Sequence, residues 1–154
     1  MIAVEMPRNE SIAFLAGHRF AHLACALDDQ PYVVPIFVAI EGEWLYGFST
    51  VGRKIDWLRQ NPRVCIECDE VTDEQNWTSV IVFGRFQELT DTGPFAEARE
   101  VAHAALGRHP SWWVPAYVRM ALDRESRPLD PVYFRVFIDT ITGRRTSTSS
   151  PLKE

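Results

Sequence analysis

The chain has 154 residues, and its hydrophobic content of 46% and charged content of 24% are ordinary for one globular domain with a hydrophobic core. Its formal net charge of -5 argues against a nucleic-acid partner, because the phosphate backbone is bound by dense clusters of Lys and Arg. It carries neither a basic and apolar leader nor an apolar run of about 20 residues, so we expect a soluble, cytoplasmic protein without a membrane partner.

The first half of the chain predicts two helices among hairpin-connected strands. Asn9 is a good N-cap for a helix over residues 9–16. Strands rich in Val, Ile and aromatic residues follow at 20–27, 32–40 and 44–48. A second helix is predicted over 51–60, because Asn61-Pro62 stops it.

The second half predicts strands at 64–69 and 77–89, separated by a polar, acidic loop over 70–76. A third helix covers 92–106, with apolar positions that suit it to closing one end of a barrel. A short helix at 116–122, a last strand at 132–141 and a loose polar tail at 146–154 complete the chain. Hairpins with few helices indicate a mainly β fold with α additions, in one domain over residues 1–145.

The segment 47–54, GFSTVGRK, carries the clearest chemical signal. A strand delivers the hydroxyls of Ser49 and Thr50 to a helix start, and Arg53 and Lys54 lie in the first turn. Helix N-termini favour anions, so the segment predicts a phosphate site. An N-cap at Ser49 or Thr50 with two solvated cations explains the segment about equally well. A P-loop does not fit, because no hydroxyl follows the lysine to hold magnesium.

Other residues capable of chemistry have simpler explanations. The three cysteines are an odd number, which argues against a disulfide framework, and Cys65 and Cys68 on one strand point to opposite faces. We therefore predict no metal site. His18 and His22 are expected to be isolated, and Trp112 and Trp113 to pack more readily than to line a pocket. His109 is a candidate proton donor, but an ordinary histidine near a helix end is the favoured interpretation.

Five segments occur in the order of a known family: YVVPI at 32–36, LYGFS at 45–49, GRK at 52–54, NPRVCIE at 61–67 and WTSVIVFGR at 77–85. Together they resemble the pyridoxamine 5'-phosphate oxidase-like FMN-binding proteins, and most closely the nitroimidazole-resistance branch. The resemblance covers about residues 20–89. The ending ITGR at 141–144 also resembles that branch, and the oxidase's own substrate residues are not found, so vitamin B6 oxidation is not expected.

This resemblance implies a six-stranded split β-barrel that binds FMN as a homodimer, with the partner subunit completing each pocket. It places four residues along the isoalloxazine ring: Val34, Pro35, Ile36 and Phe37. It places Phe48, Ser49 and Thr50 at the ring edge, the ribityl chain and the phosphate. Arg53 and Lys54 would hold the phosphate, and Ser79 would face the flavin.

The resemblance further implies an oxidoreductase that moves electrons from a reduced nicotinamide to a small acceptor, such as a nitroaromatic compound. Two alternatives stay open at the level of the sequence. One is a flavin-binding module without turnover, and the other is a related barrel that uses a deazaflavin or haem. No side chain is assigned a catalytic role, because the cofactor would carry the chemistry.

Overall fold

The computed structural model describes residues 1–110 and 130–147, and strands dominate this part of the chain. The strands are β1 (Ile2–Met6), β2 (Phe20–Leu27), β3 (Gln30–Glu41), β4 (Trp44–Thr50), β5 (Arg63–Asp73), β6 (Asn76–Leu89), β7 (Pro131–Phe137) and β8 (Thr140–Ser147). The helices are α1 (Arg8–Ala16), α2 (Arg53–Gln60) and α3 (Ala96–Leu106), and a 3-10 turn, Gly93–Phe95, precedes α3. Among the described helices, none has the length and apolar character needed to span a bilayer.

Six strands close into a ring. In order around it, β6 pairs with β5, β5 with β2, β2 with β3, β3 with β4, β4 with β7, and β7 with β6 again. All of these pairings are antiparallel. Outside the ring, β8 pairs with β6 and β1 pairs with β8. The predicted mainly β class and six-stranded split barrel are therefore confirmed.

The long strand β6 makes this closure possible by changing partners. Its residues 78–83 pair with β8, whereas its residues 86–89 pair with β7. The change falls around Gly84, where an added Cβ would lie only 2.5 Å from a methyl carbon of Val136. Gly47 on β4 is similar, since its Cβ would lie 2.2 Å from the fully buried ring of Phe134. Both glycines let the backbone approach β7 closely.

Two helices cover the barrel. Helix α2 packs on β2 and buries Ile55 and Leu58, which join the main core inside the ring. Helix α3 packs on β3, β4 and β7 and forms a second apolar cluster with Tyr46, Leu89 and Tyr133. Helix α3 therefore covers the outer wall of the barrel, whereas the sequence predicted that it covers one barrel end.

The two ends of the chain differ from the sequence prediction. Strand β1 was not predicted, and the predicted strand 132–141 is in fact two strands separated at Ile138 and Asp139. Thr146 and Ser147, which were predicted to begin the tail, belong to β8 and pair with Ala3 and Ile2. These pairings are between distant segments, so no local pattern announces them.

The predicted acidic loop at 70–76 is mostly strand. Strand β5 continues to Asp73, leaving only Glu74 and Gln75 in the turn. Its exposed residues 70–73 lack the apolar alternation that marks a strand, and pairing with β6 holds them extended. Helix α2 also begins two residues later than predicted. The predicted helix at 116–122, Trp112 and Trp113 lie outside the described residues.

Candidate functional site

Strand β3 changes partner halfway along its length, and this change separates the first part of β3 from β4. Residues 30–37 pair with β2, whereas residues 38–41 pair with β4. The β3–β4 ladder ends at the pair Val38 and Gly47. Beyond it, residues 48–50 of β4 continue along β7. The two segments that the sequence assigned to the flavin, 34–37 and 48–50, therefore flank the point where β3 and β4 separate.

Side chains of the β3 segment alternate between the two faces of the sheet. Ile36 is buried and Val34 packs against the main core, so both point into the barrel. Pro35 is exposed and Phe37 half-buried on the outer face, where Phe37 contacts Phe20 with ring centroids 4.1 Å apart. Only two of the four predicted side chains thus face outward, as expected for neighbours on a strand.

The β4 segment is less open than its hydroxyls suggested. Ser49 is 2% exposed, and its hydroxyl donates to the Thr50 carbonyl at 3.0 Å. Phe48 packs edge-on against Tyr133, with ring centroids 4.9 Å apart. Thr50 is half-buried at the end of the strand. In this state the Ser49 hydroxyl is directed to the protein backbone.

Helix α2 begins without a side-chain cap. Its N-cap is Gly52, which has no side chain to bond the first-turn N–H groups. The alternative in which Ser49 or Thr50 caps the helix is therefore wrong. The guanidinium carbon of Arg53 lies over the Tyr32 ring, 5.5 Å from its centroid, and its side chain is exposed. The first turn thus offers backbone N–H donors beside a cation, which is an arrangement that suits an anion.

Lys54 is the second cation of this turn, and it is half-buried. Within the described residues, no hydrogen bond or ion pair is found for its ammonium. Burial lowers its pKa below the usual 10.5, and the nearby Cys25 thiol offsets this only in part. A cation that is desolvated without a partner is unfavourable, so a bound phosphate would stabilise it. The residues of this turn therefore fit a phosphorylated cofactor.

Ser79 lies on the outer face of the sheet beside Glu67 and His22, and these three residues form a polar strip. Its hydroxyl donates to one carboxylate oxygen of Glu67 at 2.8 Å. The other oxygen of Glu67 lies 3.5 Å from Nδ1 of His22. Glu67 and the central role of the strip were missed from the sequence, and His22 was expected to be isolated. The three residues lie on three different strands. Only the pairing register of these strands could have indicated the contacts, and local sequence patterns do not predict that register.

The cysteines are arranged as the sequence predicted. Cys68 is buried in the core, while Cys65 is half-buried on the opposite face of β5. Cys65 helps line an outer cleft of about 640 Å³ together with Ala24, Ala26 and Phe83. This cleft lies on the same face of the sheet as the polar strip, because Ala24 pairs with Cys65 and Cys65 with Phe83.

Comparison with known proteins decides the family. Residues 7–145 match the family described as pyridoxamine 5'-phosphate oxidase. The chain belongs to the pyridoxamine 5'-phosphate oxidase family. An uncharacterised protein from Rhizobium meliloti (strain 1021) is 40% identical to this chain over 139 residues. The match covers 90% of this chain and 92% of that protein.

Two solved structures have the same fold. A FAD-binding protein from Mesorhizobium loti is 37% identical with a TM-score of 0.77, over 96% of this chain and all of that one. A Bacteroides thetaiotaomicron protein assigned to 5-nitroimidazole antibiotic resistance is 20% identical with a TM-score of 0.68, over 94% of this chain and 87% of that one. The second likeness is one of fold. Family membership confirms the resemblance that the sequence motifs indicated.

Proposed function

We propose that this protein is a flavin-dependent oxidoreductase that moves electrons from a reduced nicotinamide to a small acceptor, such as a nitroaromatic compound. The observation that carries flavin binding is the half-buried Lys54 at the start of α2, next to the strand split, for which no ion pair or hydrogen bond is found within the described residues. Family membership and the FAD-binding relative from Mesorhizobium loti support it.

The proposed cofactor is FMN. FMN and FAD share the ring, the ribityl chain and the first phosphate, and the candidate residues serve this shared part. Val34, Pro35, Ile36 and Phe37 would border the ring, and Phe48, Ser49 and Thr50 the ring edge and ribityl chain. Arg53 and Lys54 would hold the phosphate. Since a relative is described as FAD-binding, the identity of the nucleotide is the first thing to measure.

The protein's part in such a reaction is to bind and orient. A bound flavin supplies the redox chemistry, while two cations and backbone N–H groups fix its phosphate. The apolar side chains at the split would exclude water from one side of the ring. The pocket would hold a small planar acceptor against the other side.

We also propose that the protein is a homodimer formed through the outer face of β2, β3, β5 and β6. This face exposes 58% of Phe20, 61% of Val33 and 51% of Phe83. Exposed apolar residues gathered on one face mark protein-protein contacts in soluble proteins. A symmetric partner would cover this apolar surface and complete each flavin pocket.

The experiment is a titration of the purified protein with FMN, FAD and riboflavin, followed by gel filtration and an absorption spectrum. Retained FMN or FAD supports the proposal, and reduction of that flavin by NADH or NADPH supports the oxidoreductase. A retained flavin that neither donor reduces would instead indicate a binding module. A protein that retains none of these flavins, or that retains a deazaflavin or haem, contradicts the proposal.

A further inference from the structure

Two residues that the family resemblance assigns to the flavin lie on strands that do not touch each other. Pro35 is on β3 and Ser79 is on β6, and strands β2 and β5 separate them. The strand registers place His22 opposite both Pro35 and Glu67. Residues that are opposite in an antiparallel sheet project from the same face. His22 and Glu67 therefore fill the outer face between the two candidate flavin contacts.

These intervening residues are connected by side-chain contacts. Ser79 donates to one oxygen of Glu67 at 2.8 Å, and Nδ1 of His22 lies 3.5 Å from the other oxygen. With both oxygens engaged, the Glu67 carboxylate is held between the two side chains. His22 remains about half exposed, and its Nε2 is the ring nitrogen that is left to meet a ligand.

We propose that His22 and Ser79 contact the polar edge of the bound flavin ring, and that Glu67 is the positioning residue that orients both. This inference rests on the proposed function and adds to it His22 and Glu67, to which the family resemblance assigned no role. Hydrogen bonds and charges beside a flavin ring tune its electronics. Removing the Glu67 charge should therefore make the flavin easier to reduce.

Other charged groups face the same strip. Asp69, also on β5, pairs with Ser79, and Arg144 on β8 pairs with Ser79 from the other side. Nitrogen and oxygen atoms of His22, Glu67 and Asp69 lie within 4.8 Å of one another, a spacing that a cation could also use. The donation from Ser79 already occupies one oxygen of Glu67, which favours the hydrogen-bonding role.

The chain offers a matched control. His18 and Glu70 form a second histidine–glutamate contact, at 3.2 Å between Nε2 and Oε2. Glu70 lies three positions beyond Glu67 on β5, so its side chain projects from the opposite face. Replacing Glu70 with Gln should disturb a comparable exposed pair without touching the strip.

The experiment compares the wild type with Glu67→Gln, His22→Gln and Glu70→Gln. Each variant changes an exposed or half-exposed side chain and should fold. In the flavin-loaded protein, we expect Glu67→Gln to shift the flavin absorption bands and to move the midpoint potential in the positive direction. His22→Gln should also shift the bands. Glu70→Gln should match wild type in both measurements.

A second measurement uses the protein without flavin. The ¹⁵N chemical shifts of the His22 ring should change in Glu67→Gln and stay unchanged in Glu70→Gln. Unaltered His22 shifts would overturn the positioning role of Glu67, as would stoichiometric retention of Zn²⁺ added to the apoprotein. If flavin binds but its bands and potential are the same in all variants, this inference alone fails. If wild type binds no flavin, the proposed function fails with it.

Discussion

The ammonium of Lys54 and the thiol of Cys25 are electrostatic neighbours where helix α2 packs on strand β2. Burial raises the pKa of Cys25 above its usual 9.0, so the thiol is neutral at pH 7. Burial also lowers the pKa of Lys54. The lysine is therefore half-buried beside a group that cannot neutralise it, and this leaves its charge available to an anionic ligand.

Replacing Lys54 with Ala should weaken binding of FMN by about 1.5–3 kcal/mol, the scale of one charge-assisted hydrogen bond. Equilibrium fluorescence titration measures this loss. Arg108→Ala is the control, because Arg108 is an exposed cation that pairs with Glu41 elsewhere on the surface. Equal FMN affinity in Lys54→Ala and wild type would remove Lys54 from the site.

Binding of FMN should weaken at a lower alkaline pH than it would if Lys54 had the ordinary pKa of a lysine. Phosphate binding requires the protonated ammonium, and a lowered pKa means that its charge is lost at a lower pH than usual. Titrations of FMN and riboflavin at a series of pH values test this, because riboflavin lacks the phosphate. Lys54→Arg should make the FMN affinity nearly constant over the same range. A riboflavin profile that falls in parallel with that of FMN would rule out the explanation.

Gly47→Ala should destabilise the fold, because the added methyl group would overlap the buried ring of Phe134. Overpacking a core of this kind costs about 1–3 kcal/mol of the free energy of unfolding. Denaturant unfolding measures the change. Gly52→Ala is the matched control, since no atom lies within 4 Å of its added methyl group and its φ of -178° is extended. If both variants unfold at the same denaturant concentration, the β4 backbone or the Phe134 ring can shift to accommodate the methyl group, which contradicts the prediction.

Phe83→Asp should convert the proposed homodimer to a monomer, since a charge that replaces an exposed apolar side chain of the proposed interface is costly to bury. Sedimentation at micromolar concentration gives the mass of each species. Ile2→Asp serves as the control, because Ile2 is similarly exposed but lies on β1, outside the barrel ring. A wild-type monomer under these conditions would contradict the dimer itself.

Local sequence patterns determined much of this protein. Strand β2 was predicted with the bounds that it has, since apolar and β-branched residues mark it and turn residues follow it. The pairing of hydroxyls with two cations in residues 47–54 is also local, and it indicated a phosphate site before any fold was known. The family motifs could also be found in the sequence alone, because each motif is a short contiguous segment.

Tertiary structure alone decided the remainder. Residues 70–73 are extended because β6 lies beside them, and their own composition would allow a loop. The strip of His22, Glu67 and Ser79 exists because three strands pair in one particular register. A shift of one residue would turn Glu67 into the core and separate it from both partners. Register depends on the whole barrel closing, so local sequence patterns predict a candidate phosphate site but not the contacts among His22, Glu67 and Ser79.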